Sequence, residues 1–387
     1  MEHATPLHFH SAHPNNAALP ASAWEHLPTP PPGLRAIVVV PAKDEAADLP
    51  ATLAALAAQT DEAGYPLLPS TFEVLVLANN CRDDTARVVR EFAARHPSVA
   101  VYVAEVTLPP AEAHVGRARR LLLDEAARRL ELAGHPAACL ISTDADTRVA
   151  PDWLAATFRE LAAGAAAVCG RILMADADPA CPVRRYQLRD AAYHLLRTQL
   201  EAQLDPQPHD PWPRHHQHFG ASFALTVTAY RQVGGLPVVP YLEDEALYQA
   251  LLRHDLPVRH SPAVRVYTSG RQQGRVAVGL SWQLREWASL GAQEALVPNP
   301  VELIAELRLR RELREHWLGT AARFSSKRPQ TELLVAAMAG FSSFGAFWEW
   351  ARPQVLPAGG FAAVPLRQAI AALRRELARH SGAAAFR

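Results

Sequence analysis

The sequence predicts an α/β fold in which a mostly parallel, Rossmann-like sheet is flanked by helices and followed by a mainly helical C-terminal region. Short apolar runs alternate with amphipathic helical patterns from residue 36 to about residue 280, as in βαβ units. One of these runs is followed by Asp144 and Asp146. Residues 281–387 have helical periodicity instead. The alternation, the acidic turn and the change of period together indicate this architecture.

The composition is that of an ordinary globular protein. Lys plus Arg and Asp plus Glu number 39 each in a chain of 387 residues, so no overall positive field favours nucleic acid as a partner. A signal sequence is not evident, and the longest uncharged apolar run is shorter than the ~20 residues of a membrane-spanning helix. The four cysteines lack Cys-x-x-Cys spacing, as expected of reduced core thiols. We expect a cytoplasmic protein without a transmembrane segment.

Three segments are expected along the chain. Residues 1–33 are rich in proline and show no periodicity, which predicts a disordered leader. Residues 34–280 hold the alternating strands and helices. Residues 281–387 are expected to form helices that pack on this domain, with a homodimer contact or peripheral contact with a membrane surface as the alternatives.

The first half of the domain is predicted from local patterns. Apolar runs predict strands at residues 36–40, 73–78, 99–103 and 138–141. Between them, helices are indicated by acidic or proline starts followed by apolar residues at helical spacing. These helices begin near Asp48 and near Asp83, and a third, longer helix ends near Leu132.

The second half continues with a helix opened by Pro151 and Asp152, a strand at 165–173 and a helix at 183–204. Residues 205–218 form a polar loop in which no helix or strand fixes the spacing of the histidines, so a metal site is not expected there. The histidines are His209, His215, His216 and His218. A strand with small residues is predicted at 219–225.

The acidic turn after the fourth apolar run has the chemistry of a cation site. Ligands bind at the carboxyl ends of the strands in open α/β sheets. Two carboxylates one residue apart, Asp144 and Asp146, can approach one Mg²⁺ or Mn²⁺, which usually shares its coordination shell with substrate phosphates. Solvated loop aspartates are the alternative for an Asp-x-Asp taken alone. The glycine-rich motifs of dinucleotide-binding folds and P-loops are absent.

Five motifs make residues 36–275 resemble the family 2 glycosyltransferases of the GT-A fold. The motifs stand in the family's order. They are Val38-Val39-Val40-Pro41-Ala42-Lys43-Asp44-Glu45, Val76-Leu77-Ala78-Asn79-Asn80-Cys81-Arg82-Asp83-Asp84-Thr85, Gly116-Arg117-Ala118-Arg119, Thr143-Asp144-Ala145-Asp146, and Val233-Gly234-Gly235-Leu236 followed by Glu243-Asp244. The resemblance implies a GT-A domain with a donor half at about 34–150 and an acceptor half at about 151–280.

The resemblance also implies an activity: transfer of a sugar, a hexose, from a nucleoside-diphosphate sugar to a hydroxyl group, with inversion. The acceptor would be a small molecule, a glycan or a lipid-linked molecule. The implied donor-binding residues are Pro41, Glu45, Asn79, Arg117 and Asp144, and Asp146 together with Asp144 would bind the divalent metal ion that bridges the diphosphate. Asn79 stands where many relatives have an aspartate, so the nucleobase stays open.

The acceptor side rests on Glu243 and Asp244 at the start of a predicted helix. Acidic residues there are favoured by the helix dipole, so plain capping is one interpretation. By resemblance, Asp244 is the general base that removes the proton of the acceptor hydroxyl, and Glu243 orients it or the acceptor. The chain departs from the family at Thr268, where relatives often place a metal-binding histidine. The following loop offers Arg271 and Arg275, which would fold over the diphosphate, with a solvated turn as the alternative.

Two other classes of protein are kept as alternatives. A nucleotidylyltransferase makes sugar nucleotides on a similar sheet, but it needs a glycine-rich loop after the first strand, where this chain has Pro41 to Glu45. A non-catalytic sugar-nucleotide-binding protein is the other alternative, because fold alone does not fix function. The presence of Asp144, Asp146 and Asp244 speaks against a decayed site.

Overall fold

The computed structural model confirms an α/β fold with a large central sheet, flanking helices and a helical C-terminal region. It describes residues 23–24, 27–135, 137–174, 182–268, 280–289, 293–320, 329–356 and 361–384.

The central sheet has eight strands in the order β3-β2-β1-β4-β7-β6-β8-β5. They are β1 (Ala36–Ala42), β2 (Phe72–Asn79), β3 (Ala100–Val106), β4 (Cys139–Ser142), β5 (Thr147–Val149), β6 (Ala167–Met174), β7 (Phe223–Thr226) and β8 (Val258–Thr268). The first four strands in this order are parallel, as predicted. The rest of the sheet is mixed, because β7 runs antiparallel to both β4 and β6 and β5 runs antiparallel to β8.

Helices cover both faces of the parallel strands. They are α1 (Leu49–Ala57), α2 (Thr85–Arg95), α3 (Val115–Ala133), α4 (Trp153–Ala162), α6 (Val227–Gln232) and α7 (Glu243–Arg253), with α5 (Pro182–Leu204) between α4 and α6. Along β1, Val38 and Val40 face one core while Ile37 and Val39 face the other. Successive side chains of a strand point to opposite faces, so a continuous apolar run is what a strand buried on both sides requires.

The end of the predicted leader is packed rather than disordered. Trp24 is buried in the core under α3, and the guanidinium of Arg129 donates to the carbonyl of Pro28 at 3.0 Å. Arg129 also forms a buried ion pair with Glu73 on β2 at 2.7 Å. Trp24 and Pro28 thus pack against the domain although they lie upstream of residue 34. No sequence pattern indicates this packing, because a single large apolar side chain makes no periodic pattern. Residues 1–22 and 25–26 lie outside the described part of the chain.

The C-terminal region contains α8 (Leu280–Ser289), α9 (Pro300–Trp317), α10 (Pro329–Ala337), α11 (Phe344–Val355) and α12 (Leu366–Ala384). Two short strands, β9 (Leu296–Pro298) and β10 (Ala363–Pro365), pair antiparallel. Leu303 and Leu307 of α9 pack with residues of α5 and α12, which makes α5 part of this region's core. None of the helices in the described residues is long and apolar enough to cross a membrane.

The C-terminal region also supports α7. Asp255, just after α7, accepts hydrogen bonds from the first backbone N–H groups of α11, those of Phe344 and Gly345, at 2.7 Å each. Arg253 at the end of α7 pairs with Glu349 of α11 at 2.5 Å. Helix α11 thus braces the helix whose first turn carries Asp244.

Candidate active site

The predicted donor-side residues meet at one edge of the sheet. Pro41 lies near the end of β1, Glu45 follows that strand, Asn79 ends β2, and the acidic turn follows β4. Because these strands are parallel neighbours, their carboxyl ends open on the same crevice.

The turn that holds Asp144 and Asp146 is fixed by two buried threonines. Thr143 donates through its hydroxyl to the carbonyl of Ala221 at 2.9 Å, and Thr52 of α1 donates to the carbonyl of Ala145 at 2.8 Å. The two aspartates therefore project from a backbone that is anchored on both sides.

A hydrogen-bond network holds Glu45 in place beyond β1. Its backbone N–H donates to the Thr85 hydroxyl at 2.9 Å. The adjacent Asp44 has φ 54°, in the left-handed region that asparagine and aspartate tolerate best after glycine. Asp44 accepts from the N–H of Arg82 at 2.6 Å, and Asp83 accepts from the N–H of Ala46 at 3.0 Å.

The same network contains a group with the geometry of a cation site: ligand atoms of Asp44, Cys81 and Asp83 lie within 4.8 Å of one another. The two carboxylates, however, accept the backbone hydrogen bonds that join the turn after β1 to the turn after β2. We interpret the group as a structural junction that positions Glu45.

Asn79 offers an acceptor to the crevice. Its side chain is buried, and its Oδ1 has no hydrogen-bond partner within the residues that the structure describes. The following Asn80 has φ 51° and forms two hydrogen bonds with the backbone of Leu108, at 2.9 and 3.0 Å, so the segment after β3 is held beside Asn79.

Asp144 lies at the centre of the crevice. Its carboxylate oxygen Oδ1 is 2.6 Å from Nη2 of Arg119, and its side chain remains 39% exposed. The surrounding protein desolvates this carboxyl and raises its pKa to about 6; Arg119 opposes the shift, while the negative charges of Asp146 and Asp244 add to it. The carboxylates of Asp146 and Asp244 thus both lie near enough to Asp144 to affect its charge.

Asp244 and Glu243 occupy the first turn of α7. Asp244 accepts the backbone N–H of Gly220 on Oδ2 at 2.8 Å and that of Glu245 on Oδ1 at 2.8 Å. Glu243 is buried and forms an ion pair with Arg119. Leu242, which precedes the helix, has φ 58°, a left-handed conformation that is costly for leucine and sets the direction in which α7 starts.

Arg119 lies at the crevice although it was not among the expected site residues. The motif 116–119 contains two arginines, and Arg117 was expected near the donor. The structure places Arg117 beside Glu112, with 3.0 Å between Nε and Oε2, and places Arg119 between Asp144 and Glu243. Residues two apart on a helix point in different directions, so only one of the two arginines is directed between these acids.

The other predicted site residues fall in two groups. Thr268, which stands where a metal-binding histidine would be expected, is buried at the end of β8. Its hydroxyl oxygen lies 3.3 Å from that of Thr147. Arg271 and Arg275 lie outside the described residues.

The histidine-containing loop packs inward against α5 and α7. His216 stacks on His194 of α5, with 4.0 Å between ring centroids, and His218 stacks on Tyr248 of α7 at the same distance. Burial lowers the pKa of His215 to about 3 and that of His194 to about 4. His194 and His215 are therefore neutral at pH 7, and the stacked rings hold the loop against α5 and α7.

Comparisons with known proteins agree with the motifs. Residues 37–213 match the family model described as "Glycosyl transferase family 2". A search of curated proteins found no match. Among solved structures, the chain is similar to mannosyltransferase PcManGT from Pyrobaculum calidifontis in complex with GDP-Man and Mn²⁺, with 21% identity, 87% of this chain and 85% of that chain covered, and a TM-score of 0.45.

The chain is also similar to S. aureus TarS 1-349 in complex with UDP, with 13% identity, 78% of this chain and 77% of that chain covered, and a TM-score of 0.42. These likenesses are too distant to add to the argument. The assignment rests on the family match and on the ordered motifs around the crevice. Residues 37–213 belong to glycosyl transferase family 2.

Proposed function

We propose that this chain transfers a sugar, a hexose, from a nucleoside-diphosphate sugar to a hydroxyl acceptor, with inversion at the anomeric carbon and with Asp244 as the general base. The observation that carries the proposal is the meeting of Asp144, from the donor side of the sheet, with Glu243 and Asp244, from α7. Acidic residues about a hundred positions apart in the chain converge on one crevice beside the carboxyl ends of the strands.

The donor diphosphate would lie against the turn after β4. Asp144 and Asp146 supply carboxylate oxygens, the ligands that Mg²⁺ and Mn²⁺ prefer. Burial is the main cause of the raised pKa of Asp144, and the negative charge of Asp146, which adds to it, is what a bound cation would offset. Such a cation stabilises the charge that develops on the departing nucleoside diphosphate. Arg271 and Arg275 are proposed to approach the diphosphate from the loop after β8.

The nucleoside would lie along the turns after β1 and β2. Glu45 accepts hydrogen bonds from a ribose, and the backbone beside Pro41 follows the nucleoside. The buried Oδ1 of Asn79 is an acceptor that suits an N–H of the base. Since the amide also donates, Asn79 fits more than one base.

In the transfer step, Asp244 accepts the proton of the acceptor hydroxyl. The acceptor hydroxyl oxygen attacks the anomeric carbon while the bond from that carbon to the β-phosphate oxygen breaks, and the nucleoside diphosphate leaves with the bonding electrons. Asp244 takes the proton of the hydroxyl as the new glycosidic bond forms. The backbone N–H of Gly220 and that of Glu245 fix the direction of the carboxylate and leave each oxygen a second lone pair for this proton.

Product analysis tests the proposal. The full chain is first screened for thermal stabilisation by nucleoside diphosphates and sugar nucleotides with and without Mn²⁺, since a bound ligand raises apparent stability. The stabilising sugar nucleotide is then incubated with small-molecule, glycan and lipid-linked acceptors in turn. Release of free nucleoside diphosphate together with a glycosylated acceptor supports the proposal. Pyrophosphate in an exchange assay would indicate a nucleotidylyltransferase, and binding without any product would indicate a binding protein.

A further inference from the structure

One buried arginine joins the two sides of the crevice. The Arg119 side chain is 5% exposed, with Nη2 on Asp144 and Nη1 on Glu243. These two acids lie on different elements, the turn after β4 and the first turn of α7. Because its two terminal nitrogens donate to different acids, the guanidinium of Arg119 links the two elements through charge-assisted hydrogen bonds.

The backbone around Arg119 is built to receive it. A Cβ atom at Gly220 would lie 2.4 Å from Nη1 of Arg119, so the guanidinium packs against the bare backbone of Gly220. That same residue donates its N–H to Asp244. At Gly116, a Cβ atom would lie 2.0 Å from the carbonyl oxygen of Val239, so the missing side chain lets α3 approach the segment that leads into α7.

We propose that Arg119 is the positioning residue of this site: it orients the Asp144 carboxylate for the donor and, through Glu243, holds the first turn of α7 so that Asp244 faces the reacting hydroxyl. The inference rests on the proposed function and adds to it a residue that acts on both substrates. A lysine would not replace it, because one ammonium group cannot present two separate donors in a fixed fork.

Two measurements should move in opposite directions in Arg119→Met. Removing a cation beside Asp144 frees that carboxylate and lowers the repulsion felt by a metal ion, so the affinity for Mn²⁺ alone, measured by calorimetry without nucleotide, should rise by about tenfold or more. Turnover should fall by roughly 10²-fold, because the donor carboxylate and α7 are no longer held in register. In Arg119→Lys, Mn²⁺ affinity should stay near wild type while turnover remains low.

The matched control is Arg129→Met. Arg129 lies on the same helix, is equally buried and forms its ion pair with Glu73, remote in the fold from the acids of the crevice. Arg129→Met should lose stability while its folded fraction keeps wild-type Mn²⁺ affinity and turnover. If either methionine variant does not fold, Arg119→Lys and Arg129→Lys are compared by turnover, which should be low only in Arg119→Lys.

The inference is overturned if Arg119→Met keeps wild-type turnover, if its Mn²⁺ affinity and turnover change only in parallel with Arg129→Met, or if Arg119→Lys restores full turnover. Failure of the proposed function looks different: the wild-type chain itself would then form no glycosylated product, whatever the Arg119 variants do.

Discussion

Gly220 and Asp244 are joined by a 2.8 Å hydrogen bond from the backbone N–H of Gly220 to Oδ2 of Asp244. Gly220 lies in a short 3-10 turn (Gly220–Ser222) just before β7, and its bare backbone also receives the guanidinium of Arg119. One residue therefore orients the proposed base and makes room for the arginine that links the acids.

This relationship predicts a strong effect of a single methyl group. In Gly220→Ala the new Cβ must displace Arg119, which two ion pairs hold in place. We therefore expect a loss of about 1–3 kcal/mol in the free energy of unfolding. Turnover of the folded variant should fall as well, because Arg119 no longer contacts both acids. Gly340→Ala is the control, since a Cβ there has no neighbour within 4 Å. Equal, small effects of both substitutions would show that the Gly220 contact does not constrain the site.

Metal dependence is predicted to act through Asp146. In Asp146→Ala, binding of a nucleoside diphosphate should lose its enhancement by Mn²⁺, because the cation loses a carboxylate ligand beside Asp144. Calorimetric titrations with and without Mn²⁺ measure this directly. Manganese-assisted binding that is undiminished in the variant would rule out Asp146 as a ligand.

The packed end of the leader predicts two different outcomes of truncation. Deleting residues 1–22 should leave melting temperature and turnover near wild type, as expected of a proline-rich, aperiodic stretch. Trp24→Ala should instead cost about 3 kcal/mol, because a large buried side chain is lost from the core under α3. Urea unfolding of both variants checks the contrast; the account of this segment fails if Trp24→Ala unfolds like wild type.

The buried histidines predict that stability falls with acid. Burial lowers the pKa of His194, His215, His216 and His260 in the folded chain below the ordinary value of 6.5. Between pH 6.5 and about 4 the unfolded chain binds protons that the folded chain does not, so the free energy of unfolding decreases as the pH falls through this range. Above pH 6.5 this contribution is constant.

Three carboxyls act in the opposite sense, one of which is Glu73, whose pKa is raised by burial. Burial raises the pKa of Asp144 and Asp190 to about 6, so these groups take up protons in the folded chain and stabilise it as the pH falls. The four histidines outnumber them, and the net effect should be acid destabilisation. Urea midpoints at pH 7.5, 6.5 and 5.5 test this, and His216→Phe, which keeps the stacked ring, should flatten the profile. A midpoint that rises toward pH 5.5 would contradict the balance.

The donor side of the site could be predicted from the sequence because its signals are local. Asp144 and Asp146 lie in the turn that follows a buried strand, and Glu45 and Asn79 lie just after or at the end of one. Once the strand ends are predicted, the positions of these residues at the edge of the sheet are predicted too. The parallel direction of the first four strands in the sheet order follows from the alternation of strands and helices.

What sequence could not provide depends on contacts between distant segments. The choice between Arg117 and Arg119 depends on the rotation of α3, which its close approach to Val239 at Gly116 sets. The residues of β7 do not themselves indicate that this strand pairs antiparallel with β4 and β6. The burial of Trp24 could not be predicted either, because a single apolar residue produces no periodic pattern in the sequence.

The central claim is that Asp244 is a base and not a helix cap. Its asparagine variant keeps one acceptor oxygen for the N–H of Gly220 but loses the oxygen that accepts from the N–H of Glu245, so stability should fall by about 1–2 kcal/mol. Glu243→Gln should lose more stability than Asp244→Asn, because it breaks the buried ion pair with Arg119. Its turnover should fall less than that of Asp244→Asn. Glu245→Gln, in the same first turn, should keep turnover close to wild type.

The most direct measurement is single-turnover sugar transfer by Asp244→Asn, with donor affinity determined on the same sample. We predict a rate lower by roughly 10²–10⁴-fold at unchanged donor affinity, because the amide cannot take the proton of the acceptor hydroxyl. A near-normal rate for Asp244→Asn, or a deeper loss of rate in Glu243→Gln, would contradict the assignment.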